Sequence, residues 1–236
     1  MQIHQQLNPD LWDGDVLKST VKDQLLLIAK DFYATLKIKE APEDITITGS
    51  SANYNYTPTS DIDLHLLLDF TNVTCDEEIT RDYLLAKKSI WNDKHDITIF
   101  GREVEVYVQD TSEPHVSTGV YSVMHNTWVE HPEQIDAQSI NLDEELYKKK
   151  LREYVDLIEH NLEKNTNHNY LKKLRAKISQ MRKEGLASGG QFSVENLVFK
   201  KLRSMGYLDK LSQLETDAYD ASMSLESFKD FFKYRA

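Results

Sequence analysis

The chain has few of the residues that define several large classes of protein. Cys75 is the only cysteine, which excludes an intrachain disulfide and a cysteine-based zinc cluster. No apolar run approaches the roughly 20 residues that a membrane-spanning helix needs. The first stretch, MQIHQQLNPDLW, has neither the basic nor the apolar region of a signal peptide. We therefore expect a cytoplasmic protein without a membrane partner.

Positive charge is scarce as well. The 28 Lys and Arg residues are outnumbered by 39 Asp and Glu residues, so the net charge is −11 at pH 7. A chain this acidic presents no general positive field to nucleic acid, and extended nucleic-acid binding is not expected. Half of the 28 basic residues lie between Lys148 and Arg203. They form either solvated helix faces or a local surface for a phosphate-bearing ligand.

The first part of the chain alternates between two apolar patterns. Apolar residues recur at helical spacing over residues 17–36 and 76–92, which predicts two helices. Short apolar or alternating runs predict strands at residues 45–48, 61–70, 95–110 and 119–132. The segment 95–110 is predicted to be a hairpin of two strands. This pattern predicts an α/β domain with a mixed sheet.

From Leu142 onwards the pattern is helical. Helices are predicted at residues 142–165, 169–185, 192–208 and 211–234. The segment GLASGG, residues 185–190, is predicted to be a flexible break between two of them. The expected fold class is therefore α+β, with one domain over residues 1–135 and a helical domain over residues 136–236.

One strand begins with two carboxylates. Asp61 and Asp63 are two residues apart, so on a strand both side chains point to the same face. Carboxylates this close repel each other, and a bound divalent cation removes the repulsion. Oxygen ligands on a rigid strand suit Mg²⁺ better than zinc, with Mn²⁺ as the alternative. We expect both aspartates to be catalytic metal ligands; the alternative is a strand that merely starts with polar residues after a turn.

A second strand offers a third carboxylate. In REVEVYVQD the alternation puts Glu103, Glu105 and Tyr107 on one face. If this strand lies beside the first, Glu105 completes a cluster that can hold two metal ions roughly 3.5–4 Å apart. Glu103 is the weaker candidate because it lies nearer the hairpin turn. Glu105 is therefore predicted as the third catalytic metal ligand, and its further role as a base is left open.

Gly49 and Ser50 end the strand that precedes the aspartates. Glycine lets the backbone approach a ligand closely. Ser50 is predicted to cap a short following helix, whose free N–H groups attract phosphate. A phosphate site would then lie next to a metal site.

Three motifs together resemble the DNA polymerase β-like nucleotidyltransferase superfamily: Gly49-Ser50, Asp61-Ile62-Asp63-Leu64 and Val104-Glu105-Val106. The resemblance covers roughly residues 45–110. It implies that residues 1–135 form a nucleotidyltransferase domain. The helical tail agrees in kind with the C-terminal helical domains of this superfamily, although no motif matches there.

The resemblance implies an Mg²⁺-dependent nucleotidyltransferase that uses ATP or another nucleoside triphosphate. A nucleoside monophosphate would pass to a hydroxyl acceptor, a small molecule or a protein, with release of pyrophosphate. Gly49 and Ser50 would bind the phosphates, and Lys173 and Lys177, which are i, i+4 neighbours, are further candidates. The alternatives are an oligonucleotide or RNA-tail synthase of the same superfamily, a metal-dependent phosphohydrolase, and a binding module that holds nucleotide without turnover.

Other side chains near the motifs allow two interpretations each. His65 shares the face of the aspartates, where it either touches the substrate or supports its neighbours. Activation of a hydroxyl by metal requires no histidine. Tyr54 and Tyr56, in the loop before the aspartates, either stack on a base or pack the loop onto the domain.

Overall fold

The structure is a computed structural model that describes residues 3–58, 60–74, 76–115, 117–134, 142–162 and 167–224. The chain is α+β and divides into two compact units, Met1–Ala137 and Gln138–Ala236. Sequence analysis placed the domain boundary after residue 135. Across the described residues, no helix is both long and apolar enough to cross a membrane.

The first unit contains two helices and a mixed sheet. Its elements are β1 (Trp12–Asp13), β2 (Val16–Leu17), α1 (Ser19–Leu36), β3 (Asp44–Thr48), β4 (Ile62–Leu68), α2 (Glu77–Lys94), β5 (Thr98–Ile99), β6 (Arg102–Asp110), β7 (Val120–Ser122) and β8 (Thr127–Glu130). The strand order of the larger sheet is β5-β6-β4-β3-β7-β8. Its β4–β6 pair is parallel and its other pairs are antiparallel, so the mixed sheet expected from sequence is present.

Strand β4 separates the apolar core from a polar face. Its even-numbered residues, Ile62 to Leu68, are fully buried in the core, because successive side chains of a strand point to opposite faces. Asp63 and His65 lie on the other face and are half-buried. The core side is completed by apolar residues of α1, among them Leu25 and Phe32. The polar face carries the candidate site.

The hairpin predicted over residues 95–110 is confirmed as β5 and β6. It turns at Phe100 and Gly101, which have φ values of 50° and 76°. Residues 119–132 contain two strands, β7 and β8, where sequence analysis expected one. A tight turn that ends at Asn126, with φ of 56°, folds this segment back on itself. Asn tolerates this left-handed conformation better than most residues.

The second unit is helical, as predicted. It contains α3 (Glu144–Leu162), α4 (His168–Gly189), α5 (Val194–Ser204) and α6 (Tyr207–Met223). Each helix contributes apolar side chains to one core, among them Ile158, Leu171, Ile178, Leu202 and Leu211. Residues 163–165 and 225–234 of the predicted helices lie outside the described residues.

The flexible break predicted at residues 185–190 is wrong, because α4 continues to Gly189. Gly190, the residue that follows the helix, has φ of 66° and stops it. Gly185 lies inside α4 and is buried, and a Cβ there would be 2.5 Å from Cβ of Glu195 on α5. This glycine serves close helix packing, which outweighs its low intrinsic helix propensity.

Candidate active site

Asp63 and Glu105 are neighbours across the parallel β4–β6 pair. The register opposes Asp63 to Glu105 directly, and both side chains are half-buried on the same face of the sheet. Glu103 is exposed, and its register partner is Thr98 on β5. The pairing therefore places Glu105, rather than Glu103, beside Asp63. Asp61 directly precedes β4, two residues before Asp63.

Gly49 lies against the carboxylate of Asp63. It follows Thr48, the register partner of Asp63, and has φ of +72°. A Cβ at this position would lie 2.2 Å from Oδ2 of Asp63. Two features therefore favour glycine at position 49: the left-handed backbone and the close approach of the Asp63 carboxylate.

The prediction that Ser50 caps a short helix is wrong. A single 3-10 turn, Gly49–Ala52, begins one residue earlier, so Ser50 lies inside it, and no side chain caps this turn. The positive φ of Gly49 turns the chain immediately at the end of β3. The Ser50 hydroxyl instead donates to Oγ of Ser60 at 2.8 Å. Ser50 thus contacts the loop that leads to the aspartates.

This loop is held at both ends by side chains that sequence analysis did not single out. Ser51 Oγ donates to the carbonyl of Asp61 at 2.6 Å. Arg102 on β6, with 7% of its surface exposed, donates from Nη1 to the carbonyl of Thr57 at 2.6 Å. A guanidinium can reach several acceptors from one rigid fork. Arg102 is the first residue of β6 after the predicted turn, but nothing in its local sequence marks it as buried.

The backbone N–H of Gly49 also has a partner. It donates to Oγ of Ser117 at 3.2 Å, and that hydroxyl in turn donates to the carbonyl of Gly119 at 2.9 Å. Sequence analysis missed Ser117 because it is 68 residues away in the chain. A phosphate bound at Gly49 would exchange places with the Ser117 hydroxyl.

Glu105 is linked to Tyr107 and Lys88. The Tyr107 hydroxyl donates to Oε2 of Glu105. Nζ of Lys88, on α2, lies 3.8 Å from the centroid of the Tyr107 ring, a cation–π contact. Burial lowers the pKa of Lys88, while the carboxylates of Glu105 and Asp63 act in the opposite direction. The polar face therefore contains a cation as well as carboxylates.

His65 packs behind the carboxylates and is neutral. Its Nδ1 lies 2.9 Å from Oε1 of Gln109, and its Nε2 lies 3.2 Å from Oγ1 of Thr48. Because Oε1 only accepts, Nδ1 donates to it and Nε2 accepts from the Thr48 hydroxyl. Burial lowers the pKa of His65 from 6.5 to about 4, and its ring stacks on Tyr107. His65 therefore supports its neighbours, and its low pKa disfavours the imidazolium form that a general acid needs at neutral pH.

The donor atoms of this face suit a hard cation. Carboxylate oxygens are the ligands that Mg²⁺ prefers, and the charges of Glu105 and Asp63 favour a nearby cation, since they raise the pKa of Lys88 against the larger, opposite effect of burial. Within the described ranges, no group of three or more His, Cys, Asp or Glu side chains converges closely enough to hold a metal ion. Glu105 is turned to Tyr107, and a metal ion would take over that contact.

The remaining sequence candidates pack locally or belong to the second unit. Tyr54 is buried, and Tyr56 stacks on His4 with ring centroids 3.8 Å apart, so both pack the loop onto the first unit. Lys173 and Lys177 are exposed on α4 of the second unit. Two cavities of about 600 and 550 Å³ are lined by residues around Lys18, not by the carboxylates.

Comparisons with protein-family models, with curated proteins and with solved structures gave no match. The function proposed below is therefore inferred from the residues of the site. Its central feature is the meeting of Gly49, Asp63 and Glu105 at one end of the sheet.

Proposed function

We propose that the first unit is a polymerase β-like nucleotidyltransferase domain. The chain would transfer a nucleoside monophosphate from ATP or another nucleoside triphosphate to a hydroxyl acceptor. One observation carries the proposal: Asp63 and Glu105 are direct register partners, and the carboxylate of Asp63 packs against Gly49. Three sequence motifs that are far apart in the chain thus meet at one place.

Asp61, Asp63 and Glu105 are the residues that would hold Mg²⁺ or Mn²⁺. When bound, the cation supplies charge neutralisation for the triphosphate and lowers the pKa of the acceptor hydroxyl. The chemistry of the donors fits, because all three groups are carboxylates at one end of the β4–β6 pair, and Glu105 would turn from Tyr107 to join the other two.

The reaction exchanges one P–O bond of the α-phosphate for another. The acceptor oxygen attacks the α-phosphorus, the bond from that phosphorus to the bridging oxygen of the β-phosphate breaks, and pyrophosphate leaves. The Glu105 carboxylate accepts the proton of the acceptor hydroxyl. The N–H of Gly49 and the hydroxyl of Ser50 bind the β- and γ-phosphates in exchange for Ser117 and Ser60. Lys173 and Lys177 stay proposed phosphate-binding residues on sequence spacing alone.

The acceptor is proposed to be a small molecule or a protein side chain. The net charge of −11 disfavours a long nucleic acid as acceptor, because such ligands need an extended positive surface. Synthesis of an oligonucleotide or an RNA tail is the alternative within the same chemistry.

One observation favours a second candidate, a module that binds nucleotide without turnover. Glu105 accepts a hydrogen bond from Tyr107, so its carboxylate is occupied by a neighbour of its own strand. If that contact persists in the presence of metal and nucleotide, the hydrogen bond lowers the basicity of Glu105 and makes it a weaker base towards an acceptor hydroxyl.

The deciding experiment is a transfer assay with all four ribonucleoside triphosphates, each labelled at the α-phosphate. The purified protein is incubated with Mg²⁺ and each nucleotide, alone and with cell lysate, beside the variant Asp63→Asn, which keeps the size of the side chain. Label that appears on an acceptor with the wild type and not with the variant supports the transferase. Equal labelling by both proteins overturns it, and nucleotide binding without labelling supports the binding module.

A further inference from the structure

Helix α2 holds a lysine above the carboxylate face of the first unit. Asn92 anchors the helix to β6 with two hydrogen bonds of 3.1 Å, from Nδ2 to the carbonyl of Val106 and from the N–H of Val106 to Oδ1. Leu84, two turns earlier, is buried in the core. Lys88 lies halfway between them at i, i+4 spacing, so the helix itself directs Lys88 towards β6.

The ammonium of Lys88 has a defined position over this face. Nζ lies 3.8 Å from the centroid of the Tyr107 ring, whereas Nζ of the adjacent Lys87 lies 5.5 Å from the ring of Tyr83, on its own helix. Lys88 is half-buried, and its electrostatic neighbours are Glu105 and Asp63. The adjacent Lys87 and Lys88 therefore have different surroundings.

Tyr107 connects the lysine to the candidate metal ligands. Its ring lies under the ammonium of Lys88, and its hydroxyl donates to Oε2 of Glu105. Asp63 and Glu105 are side by side on strands that are about 4.8 Å apart, so their charges repel each other strongly unless a cation is near. Lys88 is the cation that α2 brings to them.

We propose that Lys88 is an internal counter-ion of the Asp63–Glu105 pair and competes with the divalent cation for it. Without metal, Lys88 and Tyr107 hold the pair together, with Glu105 turned to the Tyr107 hydroxyl. Metal binding would draw Glu105 away from that hydroxyl. The charge of the bound cation would then repel the ammonium of Lys88. The inference rests on the proposed function, because it takes Asp63 and Glu105 as metal ligands.

The test is direct binding of Mn²⁺, measured at fixed ionic strength from the electron paramagnetic resonance signal of the free ion. Lys88→Met removes the charge and keeps the length of the side chain, and it is expected to bind Mn²⁺ about tenfold more tightly than the wild type. Lys88→Arg keeps the charge and is expected to bind like the wild type. Lys87→Met is the matched control, which removes one charge from the same helix, and its affinity is expected to be unchanged.

Tyr107→Phe provides a second and independent measurement. Without the hydroxyl of Tyr107, Glu105 loses no hydrogen bond when it binds the metal. Mn²⁺ is therefore expected to bind about threefold more tightly. Circular dichroism verifies that each variant is folded. An affinity of Lys88→Met equal to or weaker than the wild type overturns the counter-ion role. If that variant does not fold, unchanged binding by Tyr107→Phe overturns it.

Asp63→Asn separates this inference from the proposed function. If the wild type binds Mn²⁺ and Asp63→Asn does not, the metal site exists, and the Lys88 variants alone decide the role of the lysine. If the wild type and Asp63→Asn bind Mn²⁺ equally or not at all, the metal site of the proposed function fails, and the counter-ion role fails with it.

Discussion

Gly49 and Asp63 are packed so closely that a side chain on Gly49 would displace the carboxylate of Asp63. A Cβ on Gly49 would lie 2.2 Å from Oδ2 of Asp63, well inside the distance at which atoms repel. The end of β3, which leads into the Gly-Ser motif, therefore packs closely against β4 at Asp63. The same relationship provides a stability test.

Gly49→Ala is expected to lower the free energy of unfolding by about 3 kcal/mol, from the left-handed backbone and the clash with Asp63 together. Gly14→Ala is the matched control. Gly14 has φ of +59°, but nothing lies within 4 Å of a Cβ there. Its expected loss is about 1 kcal/mol, from the backbone alone. Urea denaturation measures both, and equal losses would show that Asp63 does not approach Gly49 this closely.

Glu105 and Glu103 are expected to differ in function although they lie on the same strand face. Glu105→Gln should lower the rate of nucleotide transfer at least about 100-fold, because the variant cannot accept the acceptor proton. Glu103→Gln should keep the wild-type rate, because Glu103 pairs with Thr98 at the exposed hairpin. The rates are measured under single-turnover conditions with labelled nucleotide. Loss of activity in Glu103→Gln alone would mean that the wrong glutamate was chosen.

The depressed pKa of His65 is expected to make stability depend on pH. Burial lowers this pKa from 6.5 to about 4 in the folded chain, so between these values the unfolded chain binds more protons. Stability is therefore complete above pH 6.5 and is lost as the pH falls towards 4, by about 2–3 kcal/mol.

Denaturation by urea at pH 7.0 and pH 5.0 measures this loss. His65→Gln, which keeps a hydrogen-bonding side chain, should lose less stability between the two pH values than the wild type. His125→Gln is the control, since His125 is exposed on the turn between β7 and β8. An identical pH dependence in wild type and His65→Gln would contradict the assignment.

Arg102 is expected to hold the loop that leads to Asp61. Arg102→Met removes the hydrogen bond from Nη1 to the carbonyl of Thr57, which then accepts only from the N–H of Ser60. The expected loss is about 2 kcal/mol of stability, with faster amide hydrogen exchange at Thr57, Ser60 and Asp61. Arg81→Met is the control: Arg81 pairs with Glu113 on the surface, where an ion pair contributes less than about 1 kcal/mol. Unchanged exchange in the loop would show that Arg102 does not position it.

Local patterns were sufficient for most elements of the fold. The alternation in REVEVYVQD correctly predicted that Glu103, Glu105 and Tyr107 lie on the less buried face of β6, because the period of a strand depends only on the backbone. The spacing of apolar residues likewise predicted α1 and α2. Two of the predictions that failed concern glycine and serine. Gly185 packs α4 against α5, and Ser50 bonds to Ser60, and both depend on neighbours that are not adjacent in sequence.

For the candidate site, the sequence alone determined the residue types and the face on which each one lies. Asp61, Asp63 and Glu105 followed from the motifs and from the two-residue period. Only the tertiary structure decided that Asp63 lies beside Glu105, that Ser117 bonds to Gly49, and that Lys88 lies over Tyr107. Register and helix docking arise from contacts between segments that are distant in the chain, and a local period carries no information on them.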